Sequence, residues 1–229
     1  MFRLVLLRHG QSVWNLANVF TGWTDVDLTA HGEQEAQRAA EVLADRGIGF
    51  DRCFTSCLRR AIKTLWIVLE AMDLMWLPTE KHWRLNERHY GSLQGLNKEQ
   101  TARQYGEDQV FAWRRSYDVL PPALDKEDPR FPGFEAKYRG VPPEELPVSE
   151  SLEMTVSRVL PFWKGHIAPA ILRGERALVS AHGNSLRGLV MHLDGLSPEE
   201  IPAFEIPTGV PLVYELDHDL RPLSRTFLE

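Results

Sequence analysis

Two apolar runs in this chain end in the same pair of residues. Leu4-Val5-Leu6-Leu7 leads through Arg8 into His9-Gly10, and Ala177-Leu178-Val179-Ser180-Ala181 leads into His182-Gly183. Ligands of α/β sheets bind beyond the carboxyl ends of the strands, so two histidines from distant parts of the chain can share one site. Each glycine permits a tight turn and a close approach of backbone to ligand. One such histidine alone is more readily structural; the repetition favours chemistry. A metal suits the pair poorly, because Arg8 adjoins His9 and repels a cation, and no HExxH-like spacing occurs. No metal site is expected. An anion suits it better: the guanidinium forks of Arg8 and Arg60 match phosphate oxygens two at a time. Arg59 and Arg60 also fall in the first turn of an expected helix, where positive charge opposes the helix dipole. A phosphate bound there removes the conflict. The alternative, a pair of solvated surface arginines, suits Arg59 better than Arg60.

If the anion is a phosphoryl group, a neutral imidazole can act as nucleophile and become a phosphohistidine. Transfer then depends on positioning and on charge stabilisation over the equatorial oxygens, a role open to His182. A hydroxyl acceptor also needs a group to take and return its proton. Glu87, in Leu85-Asn86-Glu87-Arg88-His89-Tyr90-Gly91, is the best candidate, although a glutamate beside Arg88 reads equally well as half of a surface ion pair.

The elements that must place these residues follow from periodicity. The runs 4–7 and 177–181 are short and continuous, as strands buried on both faces of a parallel sheet are. Thr29 opens a helix with Glu33 in its first turn, Ala36, Ala39, Ala40 and Leu43 on one face, and Gly47 closing it. A strand around 51–55 follows. Ser56 is then a plausible N-cap for a helix carrying Ile62, Leu65, Trp66 and Leu69. A strand-like segment spans 78–85. Residues 105–147 hold seven of the fifteen prolines, which excludes long helix or central strand. They read as an ordered insertion over a site, or else as a linker, with Trp113, Phe131, Phe134 and Tyr138 favouring a packed insertion. Leu152, Val156, Leu160, Trp163 and Ile167 mark a helix that Pro161 should kink or split, and 185–192 a further helix. Residues 211–216 and 222–228 suit a terminal strand pair. The fold class is therefore α/β, a mostly parallel sheet flanked by helices with a Pro-rich cap insertion at about 105–147, in one domain of 229 residues.

Composition narrows the function classes. Hydrophobic residues make up 43% and charged residues 25%, with a net charge of −6, so neither disorder nor a general nucleic-acid binder is expected. No apolar run approaches a membrane span or a signal-peptide core. Cys53 and Cys57 match no metal or disulfide pattern and read as reduced thiols of a cytoplasmic protein.

The motifs also resemble a known family. Leu-Leu-Arg-His-Gly-Gln-Ser-Val-Trp-Asn at 6–15 resembles the signature of the histidine phosphatase superfamily. Phe-Thr-Gly-Trp at 20–23, Thr-Ser-Cys-Leu-Arg-Arg-Ala at 55–61, the block 86–98, Trp-Arg-Arg-Ser-Tyr at 113–117 and Ala-His-Gly-Asn-Ser-Leu-Arg at 181–187 are similar to cofactor-dependent phosphoglycerate mutases. The blocks run in order across most of the chain. The resemblance implies that His9 carries phosphate, that Arg8, Arg60 and His182 surround the transferred group, and that Glu87 shuttles the proton. Ser12, Asn15, Thr21, Gly22, Tyr90, Lys98, Arg114, Arg115, Gly183 and Asn184, with Arg8, Arg60 and Glu87, would bind the phosphoglycerates. It further implies interconversion of 3- and 2-phosphoglycerate in glycolysis and gluconeogenesis, with 2,3-bisphosphoglycerate as primer, no metal, and a homo-oligomer (dimer or tetramer). One departure is that many members continue into a flexible tail over the site, whereas this sequence ends at Phe227-Leu228-Glu229. Two other classes share the same residues: a phosphatase of the superfamily, with water as acceptor, and a phospholigand-binding module, for which the nucleophile and proton shuttle would be superfluous.

Overall fold

The computed structural model describes all 229 residues. Six strands form one sheet: β1 (Phe2–Arg8), β2 (Arg52–Thr55), β3 (Thr79–Lys81), β4 (Ala177–Ala181), β5 (Pro211–Leu216) and β6 (Pro222–Phe227). Their order is β3-β2-β4-β1-β5-β6. The first four are mutually parallel, and β5 runs antiparallel to both of its neighbours. Alternation along β1 explains its unbroken apolar run. Leu4 and Leu6 enter one core layer with Val179, Ala181 and Leu189, while Val5 and Leu7 enter the other with Ala40, Leu65 and Leu178.

Eight α-helical segments surround the sheet: α1 (Val13–Leu16), α2 (Ala30–Asp45), α3 (Arg59–Ala71), α4 (Lys98–Tyr105), α5 (Glu107–Arg115), α6 (Leu152–Phe162), α7 (Ala168–Leu172) and α8 (Gly183–Asp194). Helices α2 and α3 pack together beside one face, α6 and α8 beside the other. Thr29 caps α2, its hydroxyl accepting from the Gly32 amide at 3.0 Å, and Gly47 follows the helix end at φ +61°.

Three details depart from the expectations. Ser56 is not the N-cap of α3: Leu58 is, and lacks a side-chain cap bond, while the Ser56 hydroxyl accepts from the Leu58 amide at 3.1 Å and lies 2.8 Å from His182 Nε2. Trp66 is half exposed rather than in the core. The 78–85 segment is strand only over Thr79–Lys81 and then turns through a 3₁₀ turn at Trp83–Leu85. The break expected at Pro161 takes the form of a widened π-turn over Trp163–Ile167. Pro161 and Pro169 both lack an amide for the helical ladder, and the change of register lies between them.

Residues 105–147 begin with a nine-residue helix, α5, and continue as irregular chain with 3₁₀ turns at 132–134, 136–138 and 143–145. Phe131 and Tyr138 pack with Trp23 and Trp83, and Trp113 packs with Phe20 and Leu93. Phe134 is 65% exposed and touches this packing only through an edge-to-face contact with Phe131, their ring centroids 6.0 Å apart.

Candidate active site

Strand register brings the two histidines together. Arg8 pairs with Ala181 across the parallel β1–β4 ladder, so His9 and His182 emerge side by side, their ring centroids 4.9 Å apart. The His9 amide donates to the Ala181 carbonyl at 3.0 Å. His9 Nδ1 lies 2.7 Å from the Gly10 carbonyl, which can only accept. The proton therefore sits on Nδ1 and the lone pair on Nε2, which accepts from Arg60 Nε at 3.3 Å. Burial holds the His9 pKa well below its ordinary value, and the charges of Arg60 and Arg8 push it the same way, against the Gly10 hydrogen bond. A neutral ring with an unprotonated Nε2, held only by a long hydrogen bond from Arg60, is what a nucleophile requires.

Arg60 reaches His9 from the first turn of α3. It is fully buried, and its two terminal nitrogens donate to the carbonyls of Gly22 at 2.8 Å and Thr24 at 2.9 Å. Burial lowers its pKa to about 10, which leaves it charged at neutral pH. Arg59 behaves differently. It is exposed, and its amide is capped by the Asp25 carboxylate at 2.7 Å. The acid missing from the start of α3 thus comes from a distant loop.

Glu87 and Arg88 are not a surface ion pair, since both are buried. Glu87 Oε1 accepts three hydrogen bonds, from the Arg88 amide at 2.9 Å, the Asn184 amide at 3.0 Å and Asn184 Nδ2 at 2.9 Å, whereas Oε2 takes none. Burial alone would raise the Glu87 pKa; the Arg88 amide, Asn184, Arg60 and Arg8 outweigh it and hold the carboxyl below its ordinary value. His182 Nε2 lies 2.8 Å from the Ser56 hydroxyl, and its buried Nδ1 has no partner. Burial, then the charge of Arg60, depress its pKa as well.

These groups meet in one cleft. Arg8, His9, Asn15, Thr21, Gly22, Arg60, Glu87, Tyr90, Lys98, Arg114, Arg115, Gly183 and Asn184 all line it. Two expected residues do not. His182 is fully buried beside His9, and Ser12 is buried as the cap of α1, exchanging hydrogen bonds with Asn15. Six cationic side chains face the cleft against the carboxylates of Glu87 and Glu205. The surplus suits a ligand bearing several negative charges.

The profile of the histidine phosphatase superfamily (branch 1) matches residues 4–226. The chain belongs to this superfamily. It is 63% identical over 228 residues to a 2,3-bisphosphoglycerate-dependent phosphoglycerate mutase of Nitratidesulfovibrio vulgaris (strain Miyazaki F), covering 100% of this chain and 92% of that relative. A protein of the same name from the Hildenborough strain is 59% identical, with 91% of its length covered. Among solved structures, a mycobacterial glucosyl-3-phosphoglycerate phosphatase superposes with a TM-score of 0.74 at 25% identity, over 99% of this chain and 97% of that one. The superfamily's α/β sheet and helices are those described above.

Arg187 and Glu205 also line the cleft, although sequence reasoning assigned them nothing. Arg187 lies one α-helical turn after Asn184 on α8 and closes the 181–187 block, and these are the signals that could have found it. Burial lowers its pKa to about 10. Glu205 pairs with Arg115 at 2.7 Å. Among the described residues no group of three or more His, Cys, Asp or Glu side chains is placed to hold a metal, and no helix is long and apolar enough to cross a membrane.

Proposed function

We propose that the chain is a 2,3-bisphosphoglycerate-dependent phosphoglycerate mutase, an isomerase acting in the cytoplasm in glycolysis and gluconeogenesis. The observation that carries the reading is the meeting of a neutral His9, with its Nε2 lone pair free of a proton, and Glu87, with Oε2 unengaged, in a cleft with six cations. The 63% identity with a protein of that name supports the same acceptor.

Phosphorylated His9 and ionised Glu87 are the starting state. Glu87 takes the proton of the phosphoglycerate hydroxyl as its oxygen attacks phosphorus, and the N–P bond to His9 breaks. After the bisphosphate turns round, His9 Nε2 attacks the other phosphorus, and Glu87 returns the proton to the departing oxygen. Arg8 and Arg60 stabilise the transferred group, and the unpartnered Arg8 Nε fits an anionic guest, while His182 supports the group from beside His9. Asn15, Thr21, Gly22, Tyr90, Lys98, Arg114, Arg115, Gly183 and Asn184 hold the remainder of the substrate, and Ser12 acts through Asn15. Residues 105–147 cap the cleft.

A coupled assay for 2-phosphoglycerate on metal-free protein, with and without 2,3-bisphosphoglycerate, tests the reading. Turnover should need the bisphosphate, survive chelators, and place acid-labile phosphate on His9. The solved phosphatase relative makes water the rival acceptor; release of inorganic phosphate without 2-phosphoglycerate would establish that alternative.

A further inference from the structure

Glu87 sits in no helix or strand. It follows the 3₁₀ turn at Trp83–Leu85 and precedes another at Gly91–Leu93, yet proton transfer demands an oxygen held to a fraction of an ångström. A buried ion pair outside the cleft supplies the constraint. Arg158, on α6, forks onto Glu150, with Nε to Oε1 at 2.6 Å and Nη2 to Oε2 at 2.9 Å. The two side chains are 8% and 3% exposed. The same guanidinium donates to the Arg84 carbonyl through Nη1 at 2.7 Å and to the Glu87 carbonyl through Nη2 at 2.9 Å. Glu150 completes the grip: Oε2 accepts from the His89 amide at 2.8 Å, and its own amide donates to the His89 carbonyl at 2.8 Å. Trp23 Nε1 adds a second donor to the Glu87 carbonyl at 2.6 Å.

We infer that Arg158 and Glu150 are a positioning pair for the proton shuttle, fixing the 84–89 backbone so that Glu87 Oε2 faces the substrate hydroxyl. This rests on the acid/base role proposed above for Glu87. Neither side chain lines the cleft; both border a groove formed by Trp83, Arg84 and the 144–150 segment, so they act through the loop and not on the substrate. A buried ion pair is weak evidence for stability, because desolvation offsets its attraction. Here the pair divides its bonds: two of the four from Arg158 hold the carboxylate, and the other two, with the Glu150 acceptance from the His89 amide, hold the backbone of one irregular segment. Helix α8, packed against α6, holds the other end of the same residue through Asn184. Two helices thus grip Glu87, one by its main chain and one by its carboxylate.

Arg158→Lys keeps the charge and loses the fork. It should lower kcat by about 10- to 100-fold with KM for 3-phosphoglycerate within about threefold of wild type. It should also move the acid limb of the kcat–pH profile, because Glu87 has lost its fixed surroundings. The deciding measurement is the cycle with Glu87→Gln. If Arg158 works through Glu87, Arg158→Lys should cost almost nothing further in the Glu87→Gln background. An undiminished fall there, with Glu87→Gln itself slow, overturns the positioning role alone. Glu87→Gln at wild-type turnover removes the acid/base reading and this inference with it. Glu150→Gln, which preserves side-chain size but removes the charge and replaces one of the two acceptor oxygens with a donor, breaks one arm of the fork and carries the same cycle if Arg158→Lys yields no folded protein.

Discussion

The chemistry at the residue scale turns on which atoms are already engaged. His9 spends Nδ1 on the Gly10 carbonyl and keeps its pKa well below the ordinary histidine value through burial and two arginines. Its phosphorylation by 2,3-bisphosphoglycerate should therefore change less than about twofold between pH 7.5 and 6, measured by rapid quench. A histidine titrating near its unperturbed pKa of about 6.5 would lose about fourfold over that range, so a loss of that size would contradict the geometry. Glu87 is the complement, with one oxygen saturated and the other free. Glu87→Gln should cut turnover by about 10²- to 10⁴-fold, the usual worth of a positioned acid or base, while calorimetric affinity for the bisphosphate stays near wild type. Much of this site was legible in the sequence. The strand-His-Gly repeat exposed His9 and His182 because strand ends carry sites in α/β sheets. What stayed hidden were side chains whose partners lie far along the chain. Arg158 reads as an ordinary helix charge until the Glu87 carbonyl, 71 residues away, is seen beside it; Ser12 differs, since its partner Asn15 lies three residues on and the cap of α1 is a local signal.

Close approach between elements decides how well the site is built. Gly10 and Gly32 face each other where the turn after β1 meets the first turn of α2. A Cβ on Gly10 would lie 2.1 Å from the Gly32 carbonyl oxygen, and one on Gly32 would lie 2.1 Å from the Gln11 carbonyl oxygen. Both obstacles are backbone, so neither can swing aside. Gly32→Ala should therefore destabilise by about 1–3 kcal/mol, the common cost of overpacking, and should slow His9 phosphorylation by shifting the turn that carries it. Thermal melting and quench kinetics on one preparation check both; a wild-type melt with wild-type phosphorylation would show that the contact has slack. The order of the strands along the chain, the buried faces of α2 and α6 and the terminal strand pair were readable, because burial on one or both faces writes its period into the sequence, whereas the short helices α4 and α5 were not. The start of α3 was misread for a physical reason. Ser56 has cap chemistry, but its hydroxyl reaches only the Leu58 amide and His182, and the amide of Arg59 finds Asp25 instead. A local rule cannot see a donor or acceptor recruited from another part of the chain.

At the scale of the whole molecule, the question is how water is kept from the phosphohistidine while phosphoglycerate is admitted. The chain carries a net charge of −6, yet the cleft collects six cations from β1, α3, α4, α5 and α8. The two cations from α5 are not equivalent. Arg115 is engaged by Glu205, whereas the carbonyl of Arg114 is held by buried Arg88 Nη2 at 2.6 Å and its guanidinium lines the cleft without an ion-pair partner. The backbone at Arg114 is thus fixed while its charge is free, an arrangement suited to the far end of an anionic substrate. Arg114→Ala should raise KM for 3-phosphoglycerate by about 10- to 100-fold, the equivalent of one charged hydrogen bond of about 1.5–3 kcal/mol. The Arg115 counterpart should have the smaller effect, because its charge is already shared with Glu205. Arg114→Ala should also raise the fraction of phosphohistidine lost as inorganic phosphate, since a poorly held acceptor competes less well with water. Parallel assays of mutase turnover and phosphate release separate the two effects. If Arg114→Ala leaves both unchanged, the 105–147 segment does not cap the cleft, and acceptor choice must lie within the sheet-borne residues alone.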